Sequence, residues 1–270
     1  MKTSILGLAV AIVALGASTG SAAAGAVPSA HGQLIHVRAN TNQSNNWFGY
    51  QQGTLEQGGK QFNAITGDWI VPAATQHVAG QDEYSSDWIG IGGGCVDANC
   101  TVTDNTLIQT GTEQDVSGGV ASYSAWWEII PGPSISISMT IGAGDHMHSS
   151  IAEAVAGSNV WTITLQDVTR NETFTTTVPY SSTHLTAEWI EETPLILGTN
   201  AGFAALPNLT TPAFDLATVN GQNAHLTSSE QMQLIDSNGN VIGTASAPDS
   251  DSDGFNACTW ATTCAAPSSS

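Results

Sequence analysis

Three glutamates crowd the segment Thr186-Ala-Glu-Trp-Ile-Glu-Glu-Thr193, and one glutamine sits in Leu107-Ile-Gln-Thr-Gly111. Carboxylates can take protons and return them. A primary amide has two N–H donors that do not titrate, so it can hold a developing negative charge at any pH. On a strand, alternate side chains share a face. Glu188, Ile190 and Glu192 therefore point one way, and Trp189 and Glu191 the other. In Tyr123-Ser-Ala-Trp-Trp-Glu128 the same rule joins Trp126 to Glu128 and turns Trp127 away. Glu128 and Glu192 as a carboxylate pair would suit glycoside hydrolysis, at a separation of roughly 5–9.5 Å.

Other motifs carry less. Gly16-Ala-Ser-Thr-Gly20 matches a serine-hydrolase elbow but lies in an apolar leader without a strand–turn–helix context. No H-E-x-x-H or phosphate-binding loop occurs. Asp249-Ser-Asp-Ser-Asp-Gly254 matches the first half of a calcium loop, but position 12 would be Trp260 rather than Glu. It reads as a solvated acidic loop. His146 and His148 share a strand face, and with no third ligand in sequence they read as a surface pair.

The elements that must position these residues are strands. Short apolar or alternating runs recur at Asp68–Pro72, Asp87–Ile91, Thr106–Thr110, Tyr123–Ile130, Val160–Leu165 and Glu172–Val178. Ser134–Ile141 alternates strictly and predicts a half-buried strand of that length. Asn238-Gly239, between Met232–Ile235 and Val241–Ile242, predicts a hairpin. Good amphipathic helices are nearly absent. The expectation is an all-β chain, an antiparallel β-sandwich of two packed sheets.

Lys2 followed by the apolar run Ile5–Leu15 and the small residues Ser21–Gly25 reads as a signal peptide over residues 1–24. Residues 25–45 then form an N-terminal arm or short pro-segment. Residues 46–264 form one domain, and 265–270 a low-complexity, disordered tail. Export permits disulfides. Four cysteines allow three pairings; the local one, Cys95 with Cys100 and Cys258 with Cys264, is expected over a zinc site, whose usual Cys spacing is shorter.

Charge narrows the partners. The 270 residues hold 4 Lys and Arg against 23 Asp and Glu, so the formal charge is 4 − 23 = −19. Nucleic acid and anionic membrane are excluded as partners, because both need basic side chains. With every carboxylate protonated, the charge would reach at most 4 + 7 = +11, counting the 7 His. Few cations thus suit a fold that survives acid, and equally a secreted protein kept soluble by negative charge.

Asn46-Trp-Phe-Gly49, Trp88-Ile-Gly-Ile91, Leu107–Gly111, Tyr123–Glu128 and Ala187–Glu192 resemble, in order and spacing, the motifs of the glutamic peptidases, the eqolisin family of secreted acid endopeptidases. The resemblance covers about Asn46 to Glu192 and runs on more loosely from Phe214 to Gly243. It implies a catalytic dyad of Gln109 and Glu192, with Glu191 the competing acid, and a substrate cleft at Trp47, Trp88, Trp126 and Glu128. Glu192 would activate water and Gln109 would hold the oxyanion, with no metal or organic cofactor. Two positions depart from the pattern: Gly92 and Ser124 stand where the family has Asp.

The sequence is therefore read as a secreted, monomeric acid endopeptidase acting on protein or peptide substrates. A β-sandwich glycoside hydrolase using Glu128 and Glu192, and a non-catalytic carbohydrate- or partner-binding domain, are the alternatives.

Overall fold

The computed structural model describes residues 29–31, 42–196 and 202–268. The expected signal peptide, most of the arm and the last two residues lie outside these. The principal strands are β1 (Trp47–Gly53), β2 (Ala64–Ile70), β3 (Ser86–Gly92), β4 (Leu107–Ser117), β5 (Val120–Ile129), β6 (Ile135–Ile137), β7 (His146–Glu153), β8 (Val160–Asp167), β9 (Glu172–Pro179), β10 (Thr186–Glu192), β11 (Ala213–Val219), β12 (Gln231–Ile235), β13 (Val241–Ala245) and β14 (Phe255–Thr259). The one helical element among the described residues is a 3-10 turn, Ser228–Glu230.

These strands form one hydrogen-bonded path, β9-β8-β7-β2-β11-β14-β13-β12-β1-β10-β3-β4-β5-β6, antiparallel throughout. The path doubles over. The β9–β11 end packs face to face on the β1–β6 end, with β2, β7 and β8 lying on β3 and β4. The strands β14, β13 and β12 turn the corner between the two layers. This is the expected antiparallel sandwich.

Alternation explains the core. The inward residues of β3 and β10, such as Ile89, Ile91 and Trp189, meet Trp69, Met147, Trp161 and Ile163 from the facing layer, all essentially without exposure. Truncating one such tryptophan to alanine costs about 3–5 kcal/mol, a large share of a typical stability of about 5–15 kcal/mol. The Asn238-Gly239 hairpin forms between β12 and β13, with Gly239 at φ +84°. Both local disulfides form, with Cα–Cα separations of 4.8 Å (Cys95–Cys100) and 5.6 Å (Cys258–Cys264).

One strand is shorter than predicted. Ser134–Ile141 pairs only through β6, because this is the sheet edge and its one neighbour, β5, offers Ala125 to Trp127. Ile137 and Ile141 still point inward. Periodicity survives there without a ladder.

The inner layer also buries acids. Glu191 and Asp87 are direct cross-strand partners on the inward face. The Gln114 amide donates to both, at 3.2 Å each. Burial, and for Glu191 also the neighbouring Asp87 charge, raises both carboxyls well above their ordinary range. On the outer face of β4, Asp115 is pushed up to about 8 by burial and by Glu113.

Each of these acids holds its proton to higher pH when folded than when unfolded. The native chain therefore binds more protons from about pH 4 upward, and stability falls as pH rises through that window. Some loop carboxylates act oppositely. Asp236, for example, is held low by Asn240, but it is exposed and screened, so its effect is small. The melting temperature is expected to be highest below about pH 5 and to decline toward neutrality, with Glu191→Gln flattening the decline. Thermal melts across pH test this; a maximum near neutrality with loss in acid would refute it.

Candidate functional site

Antiparallel register writes the site as rows across the outer face of β1, β10, β3, β4 and β5. One row is Trp47, Glu192, Ser86, Glu113 and Ser124. The next is Gly49, Ile190, Trp88, Gly111 and Trp126. The third is Gln51, Glu188, Gly90, Gln109 and Glu128. All of the sequence-predicted site residues thus share one face. Glu191 points the other way, into the sandwich, so the geometry separates it from Glu192.

Glycine makes room for the aromatic floor. A Cβ at Gly111 would overlap the Asp87 carbonyl and crowd Trp88 Cβ, and one at Gly90 would lie 2.9 Å from the Trp88 ring. Trp88 meets Trp47 edge-on at 4.8 Å and 75°. With Leu107, Trp126, Ile190 and Met232 they form an apolar cluster distinct from the main core.

Two polar anchors are set in this floor. Trp88 Nε1 donates to Glu192 Oε2 at 2.9 Å, and Glu192 has no exposure. Gln109, equally buried, donates through Nε2 to Glu128 Oε2 at 3.0 Å, while its Oε1 has no hydrogen-bond partner. Burial pushes Glu128 up to about 7, against the opposing pull of His31. Below that pH Glu128 is neutral and can still accept from Gln109. Trp126 Nε1 donates to Ser86 Oγ at 3.0 Å.

Nothing in the local pattern pointed to the third partner. Ser29–Ala30 pairs antiparallel with Leu195–Ile196, just past Glu192. That brings His31 into the rows. Its ring stacks on Trp126 at 3.6 Å and 5°. Its Nδ1 lies 3.3 Å from Glu192 Oε2 and its Nε2 3.2 Å from Glu113 Oε1. Burial pulls the imidazole down, but the hydrogen bonds to Glu113 and Glu192 outweigh it and raise His31 to about 10. Glu113 could have been found from sequence, because it continues the period-2 face of Gln109 and Gly111. Ser124 Oγ donates to Glu113 Oε2 at 2.9 Å. At Gly92, φ is +100°, and a Cβ would overlap the Thr106 carbonyl. This backbone therefore has no place for the Asp of the resembled pattern.

The histidine pair has an acidic partner. His146 and His148 both bond Asp68 of the adjacent β2, at 2.7 and 2.6 Å. That partner is distant in sequence and adjacent only through the ladder.

Residues 45–255 match the sequence profile described as the Peptidase A4 family. No curated protein matches the chain in sequence. Among solved structures, scytalido-glutamic peptidase with a transition-state analogue inhibitor aligns with TM-score 0.61 and 19% identity, over 80% of this chain and 98% of that one. SCP-B, of the eqolisin family, in complex with the tripeptide Ala-Ile-His, gives 0.57 and 18%, over 80% and 98%. Aspergilloglutamic peptidase from Aspergillus niger gives 0.54 and 22%, over 66% and 99%. At these identities the likeness is one of fold.

Removing the imidazole is expected to open one face of Trp126. In His31→Ala, acrylamide quenching of tryptophan emission should rise by an amount comparable to one of the 8 tryptophans, and the rise should vanish when Trp126→Phe is added. Unchanged quenching in His31→Ala would refute the stack.

Proposed function

The chain belongs to the Peptidase A4 family and is a glutamic-type endopeptidase; from that premise we propose that Glu192 and Gln109 are its catalytic dyad, and that it is secreted as a latent, acid-released precursor. The observation that carries the dyad is the shared face: one buried carboxylate held by an indole N–H, and one buried amide with an unpartnered carbonyl. In this reading Glu192 takes a proton from water as the water attacks the peptide carbonyl, then returns it to the leaving amine. The Gln109 N–H not used by Glu128 holds the oxyanion, and its Oε1 orients the water. A neutral Glu128 matters here, because a negative charge beside the oxyanion would oppose its formation.

The peptide-binding relatives support this reading. Scytalido-glutamic peptidase was solved with a transition-state analogue and SCP-B with a tripeptide. A glycoside hydrolase would leave Gln109 without a role, and the family match favours neither alternative. Gln109→Ala and Glu192→Gln are each expected to lower kcat on a denatured protein at acidic pH by at least about 100-fold, the scale of losing one oxyanion donor or a general base. Circular dichroism should stay unchanged. Wild-type rates in either folded variant would exclude that residue.

Latency follows from the first residues. A leader over residues 1–24 would direct export, and residues 25–45 would be the pro-segment. Its Ser29–Ala30 adds a strand beside the site, and His31 covers Trp126 and Glu192. Glu113 and Glu192 hold the imidazolium directly. The imidazolium is charged up to about pH 10, so the contact depends on its partners being ionised. Protonating those carboxylates would remove their charge and leave an unpaired buried cation, which favours expulsion. The full-length chain is expected to cleave little at pH 6 and to activate on acidification, whereas His31→Ala should already be at least several-fold more active at pH 6. Equal activity of the two at pH 6 would refute latency without touching the dyad.

A further inference from the structure

The acidic motif Asp249–Gly254 has the Asp, Asp, Asp, Gly pattern of positions 1, 3, 5 and 6 of a calcium loop and lacks the carboxylate of position 12. The fold supplies a carboxylate from elsewhere. β11 pairs with β14, Phe214 opposite Phe255, which sets Asp215 next to Gly254. A bulge breaks the register between Asp215 and Thr218, with Leu216 at φ +52°. Bulges re-aim the side chains beside them. Ligand atoms of Asp215, Asp249 and Asp253 come within 4.8 Å of one another, the only such group of His, Cys, Asp or Glu among the described residues.

Acids gathered on a loop would by themselves be only a solvated cluster. Two independent observations point to a ligand. Asp253 is only 8% exposed, and its Oδ1 has no hydrogen-bond partner. The rest of Asp253 is pinned: Oδ2 accepts from Asn223 Nδ2 at 3.1 Å, and its carbonyl accepts from Ala217 N–H at 2.9 Å. The residue that carries this orphan oxygen offers one ligand oxygen within 4.8 Å of those of Asp215 and Asp249. The second observation is a cradle. A Cβ at Gly254 would overlap Asp249 Oδ2 and lie 3.0 Å from the Phe214 carbonyl oxygen and 3.1 Å from Asp215 Oδ1. Oxygens from two chain segments converge on space that only glycine leaves.

With its carboxylates ionised, such an arrangement is unfavourable without a cation among the oxygens. Of the described Lys and Arg, Lys60 bonds Gln57, and Arg170 is held by Asp145 and Asp167. We infer that Asp215, Asp249, Asp253 and the Phe214 carbonyl bind one calcium ion. The donors are all oxygen, which selects a hard cation over the metals that prefer nitrogen or sulfur. The mix of carboxylates and a carbonyl suits the irregular shell of calcium better than the strict octahedron of magnesium, with water completing the shell. The ion ties bulged β11 to the connection between β13 and β14, at the corner where the two layers join. A depression lined by Asp215, Asp249 and Asn256 gives it a route from solvent.

The full-length chain, stripped with chelator and desalted at pH 6, should bind calcium in titration calorimetry at one site per chain. Calcium at about a hundredfold excess over its Kd should raise the melting temperature by about 5–10 °C, and magnesium at the same concentration by less than half as much. Asp253→Asn and Asp215→Asn should each abolish the rise, and the exposed loop change Asp236→Asn should leave it intact. Absence of heat and of any melting shift in the wild type up to about 10 mM calcium would overturn the site, as would binding that persists in both variants. The wild-type titration decides the matter even if a variant fails to fold. Its outcome is independent of the dyad, because no peptide cleavage is read.

Discussion

A carboxyl group buried in this protein needs a hydrogen-bond donor, a proton or a counter-charge, and the chain has almost no lysine or arginine to provide the last. That constraint runs through the whole structure. In most proteins a buried Asp or Glu is paired with a basic side chain. Here Asp87 and Glu191 face each other across a ladder with Gln114 between them. A neutral amide cannot balance two negative charges, so protons must. The interior is therefore built for conditions in which carboxyls keep their protons. The composition, which by itself suited both acid tolerance and mere solubility, reads through the tertiary structure as a way of holding acids neutral inside.

The cleft follows the same economy with a different solution on each side of the sheet. One face of β10 turns Glu191 into the protonated layer; the other turns Glu192 onto an aromatic floor where an indole N–H holds it. Adjacent glutamates thus have unlike environments because a strand alternates. At the Gln109 end, Glu128 is raised until it is neutral in acid, which leaves the amide oriented without a neighbouring charge. At the Glu192 end sits His31 from the N-terminal segment, its Nδ1 3.3 Å from the Glu192 carboxylate. Solvent acidity therefore acts on the cleft and on the interior through one kind of group.

Much of the fold was legible in the chain. Strand faces, the Asn238-Gly239 hairpin and the two local disulfides rest on neighbours within a few residues, and local chemistry determines them. The length of the Ser134–Ile141 strand was not legible: its alternation was correct, but a ladder needs a partner, and the sheet ends there. The acidic loop was misleading in the opposite direction. Its sequence stops short of a calcium loop because the converging carboxylate stands on β11, thirty-four positions before Asp249.

The site divides in the same way. Period-2 alternation placed Trp126 with Glu128 and set Glu192 apart from Glu191, and ordered motifs singled out Gln109 and Glu192 as the pair to look for. Sequence alone thus determined which residues face together on each strand. Only the tertiary structure decided how the strands register, so that Glu192, Trp88 and Gln109 lie on neighbouring rows of one face. Only it brought His31 to Glu192 across 161 positions. The reason is physical. Side-chain direction along a strand is fixed by local backbone geometry. Register and docking are set by packing between segments far apart in the chain, which local sequence does not encode.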